Sequence, residues 1–272
     1  MQNKNNPFGI FKIFALVTAV VSLALAVYRI VVLKDNLELN VAGFDYYLDR
    51  SFNVTLFDIL AGVCAMLLFI TGAVLGRKAK GEFDYNNGGT IFMSALCGFM
   101  TFSTGAYFLY RYFSTDGIYE KADLIPLILL IASAAAFFYA ATGMMSKRPK
   151  IYGALMLLPI ILYCARVFTE YSEQKHNPSQ AIMVLHILSM LSLILFFVQE
   201  GKFSISRGSP ALYCAFGALC VALLFVSSIP MLVLSAFWML PLSDSVMYEA
   251  VDLVFALYIL IRISAVIPEY DE

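Results

Sequence analysis

Seven ionisable side chains stand inside stretches that are otherwise almost wholly apolar: Arg29, Asp58, Arg111, Arg166, His186, Glu249 and Asp252. The arginines fall near the same end of their runs, in Val27-Tyr28-Arg29-Ile30-Val31, Leu109-Tyr110-Arg111-Tyr112-Phe113 and Cys164-Ala165-Arg166-Val167-Phe168. Asp58 lies in Phe57-Asp58-Ile59-Leu60 and His186 in Leu185-His186-Ile187-Leu188. Glu249 and Asp252 are three residues apart, which places them on one face of a helix. Their mutual repulsion calls for a neighbouring cation, and the arginines stand at the matching height. A charge at mid-bilayer costs about 2.5–3.5 kcal/mol on the insertion scale and less near the interface, so it persists with a partner, with water or with a function. Arginines gathered in a pocket attract a carboxylate, a phosphate or a lipid headgroup, while acids and an imidazole orient that group or carry protons. The same residues can instead be structural, as salt bridges between helices with arginines reaching toward headgroups.

Other chemistry is poorly supported. Asp58, His186, Glu249 and Asp252 are metal-ligand types, but their spacing matches no local metal motif, and neither a metal nor a cofactor is expected. The sequence has no phosphate-binding glycine loop, no H-E-x-x-H helix and no G-x-S-x-G turn, which argues against ATP hydrolysis. No apolar run carries a lysine near its middle, as a lysine-linked chromophore would require. The net charge of -1 gives no electrostatic footprint for nucleic acid.

The elements that hold these residues follow from composition. With 61% hydrophobic and 14% charged residues and a mean hydropathy of +0.81, the chain cannot cover itself with a polar skin. Its apolar runs are continuous, not alternating, and each is close to the roughly 20 residues a helix needs to cross a bilayer. Unpaired backbone groups are prohibitive in hydrocarbon, so the runs predict helices. Eight are expected: Ile13 to Leu33, Val54 to Gly76, Ile91 to Phe113, Leu124 to Met145, Ile151 to Thr169, Ala181 to Val198, Ala211 to Phe237 and Met247 to Ile267. The expected fold is therefore all-α, a single eight-span bundle over residues 1–272 with membrane lipid as its surroundings.

Charge in the loops predicts orientation. Lys4, Lys12, Arg77, Lys78, Lys80, Lys147, Arg148, Lys150, Lys202 and Arg207 occupy alternate loops, which the positive-inside rule assigns to the cytoplasm together with both termini. The opposite loops hold Asp35, Glu38, Asp45, Asp49, Asp116, Glu120, Asp123, Glu170, Glu173 and Asp244. Ala24-Leu25-Ala26 has the form of a signal-peptidase site, but the apolar run continues to Leu33, longer than a signal core needs. The loop Lys34 to Asn53 is aromatic and acidic, and is expected to anchor at headgroup depth. Trp238, at the end of the seventh run, reads as an interfacial belt residue, and Arg262 as an anchor reaching to the inner headgroups.

Repetition and packing signals complete the reading. An arginine near one end of the first, third and fifth helices, answered by Asp58, Pro126, His186 and Asp252 on the even ones, suggests four helical hairpins derived from one unit. Ser228 stands where the seventh helix would carry its arginine. Small residues recur at four-residue spacing, in Gly72/Gly76, Ser94/Gly98, Thr101/Gly105, Ala136/Ala140, Ala211/Ala215 and Ala218/Ala222, which lets helix backbones approach closely. Cys64, Cys97, Cys164, Cys214 and Cys220 show no paired spacing and read as packing residues. Pro159 and Pro230 should bend their helices, with Ser227 and Ser228 placed to satisfy freed carbonyls or to line a cavity. The expected function is transport or binding of a small anionic, amphipathic or lipid-like solute through an outward-facing cluster formed by the seven ionisable residues. A membrane subunit that stabilises or regulates a protein partner is the alternative. A further one is an intramembrane lipid-modifying enzyme using His186 with Asp58 or Asp252.

Overall fold

The long apolar runs satisfy their backbone groups internally, as helices. A computed structural model describes residues 8–41, 44–48, 51–83, 87–114, 124–174, 180–237 and 245–268. Among these the order is α1 (Phe8–Asn36), β1 (Leu37–Val41), β2 (Phe44–Leu48), α2 (Phe52–Gly76), β3 (Ala79–Phe83), α3 (Gly88–Ser114), α4 (Leu124–Ala141), α5 (Met144–Lys147), α6 (Pro149–Leu155), α7 (Leu157–Gln174), α8 (Gln180–Ser204), α9 (Pro210–Ala236), α10 (Ser245–Ser264) and β4 (Val266–Pro268). The end of the bundle nearest β1 and β2 is called upper below, and the end nearest β3 and β4 lower.

Among the described residues, seven segments are long and apolar enough to cross a membrane: Gly9–Asn36, Phe52–Gly76, Gly88–Ser114, Leu124–Ala141, Pro149–Ser172, Val184–Ser204 and Pro210–Ala236. The eighth expected run, Met247 to Ile267, is the helix α10, with its lower boundary corrected. It stops at Ser264, after which Val266–Pro268 pairs antiparallel with β3, Ala79 opposite Pro268 and Phe83 opposite Val266. Glu249, Asp252 and Arg262 also interrupt its apolar character, and it does not stand among the seven. Its inner face is enclosed, with Phe255, Ala256, Tyr258, Ile259 and Ile263 wholly buried. Large apolar side chains such as Ile13, Leu16, Ile59, Met66, Phe92 and Ile125 face outward, the inverse of a water-soluble surface.

The loop expected to lie at headgroup depth contains a hairpin, with Leu37 opposite Leu48, Glu38 opposite Tyr47 and Leu39 opposite Tyr46. The fifth run is not one helix. Pro159 has no N–H for the carbonyl of Leu155, and the chain breaks there into α6 and α7, with Met156 in a turn between them. Trp238, the Asn177-Pro178 loop and the acidic tail Glu269 to Glu272 lie outside the described residues.

Packing follows the small residues. Gly72 on α2 lies against α9, where an added Cβ would stand 2.7 Å from the carbonyl oxygen of Cys214, and Gly76 abuts Pro210 and Ala211. Gly98 and Gly105 on α3 admit Phe138 and Ile131 of α4, 2.8 and 2.6 Å from an added Cβ. Helix α9 packs on α1, α2, α8 and α10, while α10 also packs on α1 and α3. A small upper core joins Leu25, Val32 and Leu33 of α1 to Val54, Phe57 and Ala61 of α2 and Val226 and Leu234 of α9. The principal core surrounds α10, where Phe255 meets Phe137 of α4 at 4.9 Å and Phe197 of α8 at 5.4 Å between ring centres.

Two glycines of α2 test this packing. Gly62 has open space at its Cβ position. Gly72→Ala should cost about 1–3 kcal/mol by forcing α2 off α9, whereas Gly62→Ala should be neutral or stabilising by about 0.5–1 kcal/mol through reduced chain entropy. Thermal unfolding of the two purified variants separates these outcomes.

Candidate functional site: two polar layers on one helix

Spacings of three and four residues along α10 bring Asp252, Phe255, Tyr258, Ile259 and Arg262 to one face. A charge sits toward each end of that stripe, with aromatic and aliphatic groups between. Asp252 and Arg262 are separated by about 15 Å of helix, from the rise of roughly 1.5 Å per residue. Helix α8 runs parallel beside it with His186 near the upper end and Glu200 near the lower, so α8 meets α10 at both levels.

The upper layer is an ion pair beside a histidine–carboxylate contact. Arg166 of α7 approaches Asp252 through both terminal nitrogens, Nη1 to Oδ1 at 2.9 Å, Nη1 to Oδ2 at 3.3 Å and Nη2 to Oδ2 at 3.3 Å. Tyr163, one turn below on α7, donates its hydroxyl to Asp252 Oδ1. The guanidinium carbon lies 4.8 Å from the ring centre of Tyr163 and 4.4 Å from that of Tyr248. A planar cation between aromatic faces is favourable where water is excluded. His186 Nδ1 lies 3.2 Å from Glu249 Oε1. Glu249 Oε2 and the Ser228 hydroxyl of α9 are buried with no hydrogen-bond partner among the described residues. Ser228 is near enough to Glu249 to act on it as a hydrogen-bonding hydroxyl, and Arg166 near enough to act on it through its charge.

The lower layer was not anticipated. Glu200 accepts from Arg262 Nη2 at 2.6 Å, from Tyr152 at 3.1 Å and from Tyr258 at 3.2 Å, all on Oε1, while Tyr213 donates to Oε2. Tyr152 and Tyr258 are also 3.2 Å apart at their hydroxyls. The side chains of Arg262 and Glu200 are 1% and 0% exposed. Arg262 is therefore no headgroup anchor, because it turns into the protein to meet the Glu200 carboxylate of α8. Phe137, Phe197, Phe255 and Tyr163 fill the space between the layers with ring contacts of 4.9 to 6.2 Å.

Of the seven residues singled out from sequence, Arg166, His186, Glu249 and Asp252 come together. Arg29 is buried on α1, and its Nη1 donates to the carbonyl of Val226 on α9. That carbonyl is the one orphaned by Pro230 four residues later, which has no N–H to give it. Arg29 thus fills the role expected of Ser227 and Ser228, since Ser227 donates to Leu224 instead. Asp58 lies on an exposed face of α2, and Arg111 is half-buried on α3. The pairing of His186 with Asp58 or Asp252 that a lipid-modifying enzyme would need is replaced by its contact with Glu249, while Arg166 and Tyr163 engage Asp252. Glu200 carried a legible signal. It falls on the face of His186 about four turns further along α8, an acid beside the basic loop of Lys202 and Arg207.

Comparison of the chain with protein-family models, with curated proteins and with solved structures finds no match. The class is thus read from the fold itself, whose seven apolar spanning helices are those of a multi-pass integral membrane protein.

Two measurements probe the layers. Glu200→Gln removes the anion facing a buried guanidinium and should destabilise the protein by about 3–5 kcal/mol, whereas replacing Glu200 and Arg262 together by methionine should cost much less. Chemical unfolding of the single and double variants reads the difference. Arg29→Ala should lose more stability in the native background than beside Pro230→Ala, where the restored N–H can reach Val226. A coupling of about 0.5–3 kcal/mol in that double-mutant cycle is expected.

Proposed function

We propose that this protein binds a small anionic or amphipathic solute in the upper layer and carries it across the membrane, with Arg166 as the anchor. The observation that carries this reading is the state of Arg166. Its guanidinium lies between two aromatic rings and is gripped in a two-pronged fashion by Asp252, a carboxylate of its own chain. A solute carboxylate or phosphate has the geometry to take the place of Asp252, exchanging one forked partner for another. Ionisable groups within a spanning bundle mark solute and ion paths more often than they mark packing. The surrounding helices supply bends for alternating exposure: α6 and α7 part at Met156, and α9 is relieved of a backbone bond at Pro230. The aromatic groups below the upper layer would act as the barrier between the two sides.

A second reading draws on the closure of the charges upon one another, with Arg166 and Asp252 at 9% and 1% side-chain exposure. Fully paired charges suit a membrane subunit that stabilises or regulates a protein partner. In that case a partner should co-purify from native membranes, and solutes should have no effect on the isolated protein.

The test is a thermal-stability panel of small carboxylates, inorganic phosphate and glycerol phosphate on the purified protein. A member present at about 100 times its Kd should stabilise by about 2.7 kcal/mol. Arg166→Lys keeps the charge but loses the planar fork, and should abolish that response in a folded protein. No response from any member, or an equal response in the lysine variant, would contradict the proposal.

A further inference from the structure

We infer that Glu249 is the exchangeable-proton site of the upper layer, with the Ser228 hydroxyl and His186 as its two proton partners, while Asp252 stays paired with Arg166. The inference deepens the carrier reading by naming a proton as the coupled species, and rests on that reading for its physiological use. The two acids are one turn apart on α10, yet their surroundings differ in kind. Asp252 faces the Arg166 guanidinium and the Tyr163 hydroxyl. A guanidinium can donate but never accept, so a proton on Asp252 would leave a buried cation without its counter-charge. Glu249 faces groups that work in both directions. An imidazole donates or accepts according to its own protonation, and so does a hydroxyl.

Two buried atoms with no hydrogen-bond partner among the described residues, Glu249 Oε2 and Ser228 Oγ, belong to this same contact region. Unpaired groups of this kind cost about 1–3 kcal/mol each and are rare in finished cores. They can satisfy each other in both states of the acid. When Glu249 is ionised, the serine O–H donates to Oε2. When Oε2 carries the proton, it donates to the serine oxygen. The proton arrives and leaves through His186, whose Nδ1 is 3.2 Å from Oε1. With Arg166 and Asp252 cancelling, the layer is neutral when one proton is shared by His186 and Glu249, and gains one positive charge when both are protonated.

The charged groups around this pair come from every neighbouring helix. Helix α7 supplies Arg166 and Glu170, both close enough to act on His186. Helix α10 supplies Asp252, and α9 contributes the uncharged Ser228. Helix α1 carries Arg29, committed to Val226, and α3 carries Arg111 one turn above Phe108, whose ring stacks on Tyr248 at 5.0 Å.

Infrared difference spectra of the full chain in lipid bilayers, taken in steps between about pH 3 and pH 9 with no solute present, test the assignment across ordinary carboxyl and imidazole ionisation. A protonated carboxyl in a dry site gives a carbonyl stretch distinct from carboxylate and amide bands. The wild-type protein should show such a band appearing as pH falls. Glu249→Gln should abolish it, Asp58→Asn should leave it in place, and Ser228→Ala should move its frequency by removing the acceptor. A band that survives Glu249→Gln, or no buried-acid band at any pH, overturns the inference. If Glu249→Gln fails to fold, an unshifted band in Ser228→Ala overturns it equally. Because no solute enters the measurement, a negative result leaves the Arg166 reading standing, and a negative solute panel leaves this one standing.

Discussion

Helix α10 carries two acids and an arginine into an apolar bundle, and the arrangement of the other helices answers that load. Each such charge left alone at depth would cost about 2.5–3.5 kcal/mol on the insertion scale. Arg166 of α7 cancels Asp252, and Glu200 of α8 cancels Arg262. The helix that carries these charges is held within the protein, packed on α9, α3 and α1. Direct pairing also explains why α7, α8 and α10 must keep a fixed height relative to one another. A slip of one turn would separate both pairs at once, by about 5.4 Å.

The same demand applies to the backbone. Two prolines each remove a helical hydrogen bond where no water is at hand, and the chain deals with them differently. At Pro159 the helix stops and restarts, giving α6 and α7. At Pro230 the helix continues and a side chain from elsewhere, Arg29, meets the freed carbonyl. Arginine suits that role because its guanidinium has several donors, of which one can serve the carbonyl while the others serve further partners. Both interruptions flank the upper polar layer. A helix that has already given up a backbone bond is the cheapest place for the bundle to bend.

Much of the architecture could be read from the residues. Continuous apolar runs located the long helices, and small residues at four-residue spacing marked surfaces of α2 and α3 where another helix comes close. Four of seven candidate site residues meet, because the depth of a charge along a helix follows directly from its position in the run. Which helices touch does not follow, and that is where the reading fell short. Arg29 went to a backbone carbonyl that only the third dimension brings near. Arg262 turned inward because Glu200 waits on a helix far away in sequence, and near a helix end a snorkelling arginine and a buried one have the same local sequence. The three tyrosines around Glu200 are likewise indistinguishable from membrane-belt aromatics until α6, α8, α9 and α10 are placed side by side.

The most direct test of this organisation exchanges the charges of its best-defined pair. Arg166→Asp and Asp252→Arg should each sharply reduce the yield of folded protein, since each puts two like charges face to face in the bundle. The double exchange should recover a substantial part of that loss by restoring an opposite-charge pair at the same place. Single reversals that fold normally, or a double variant no better than the combined loss of the singles, would contradict the account.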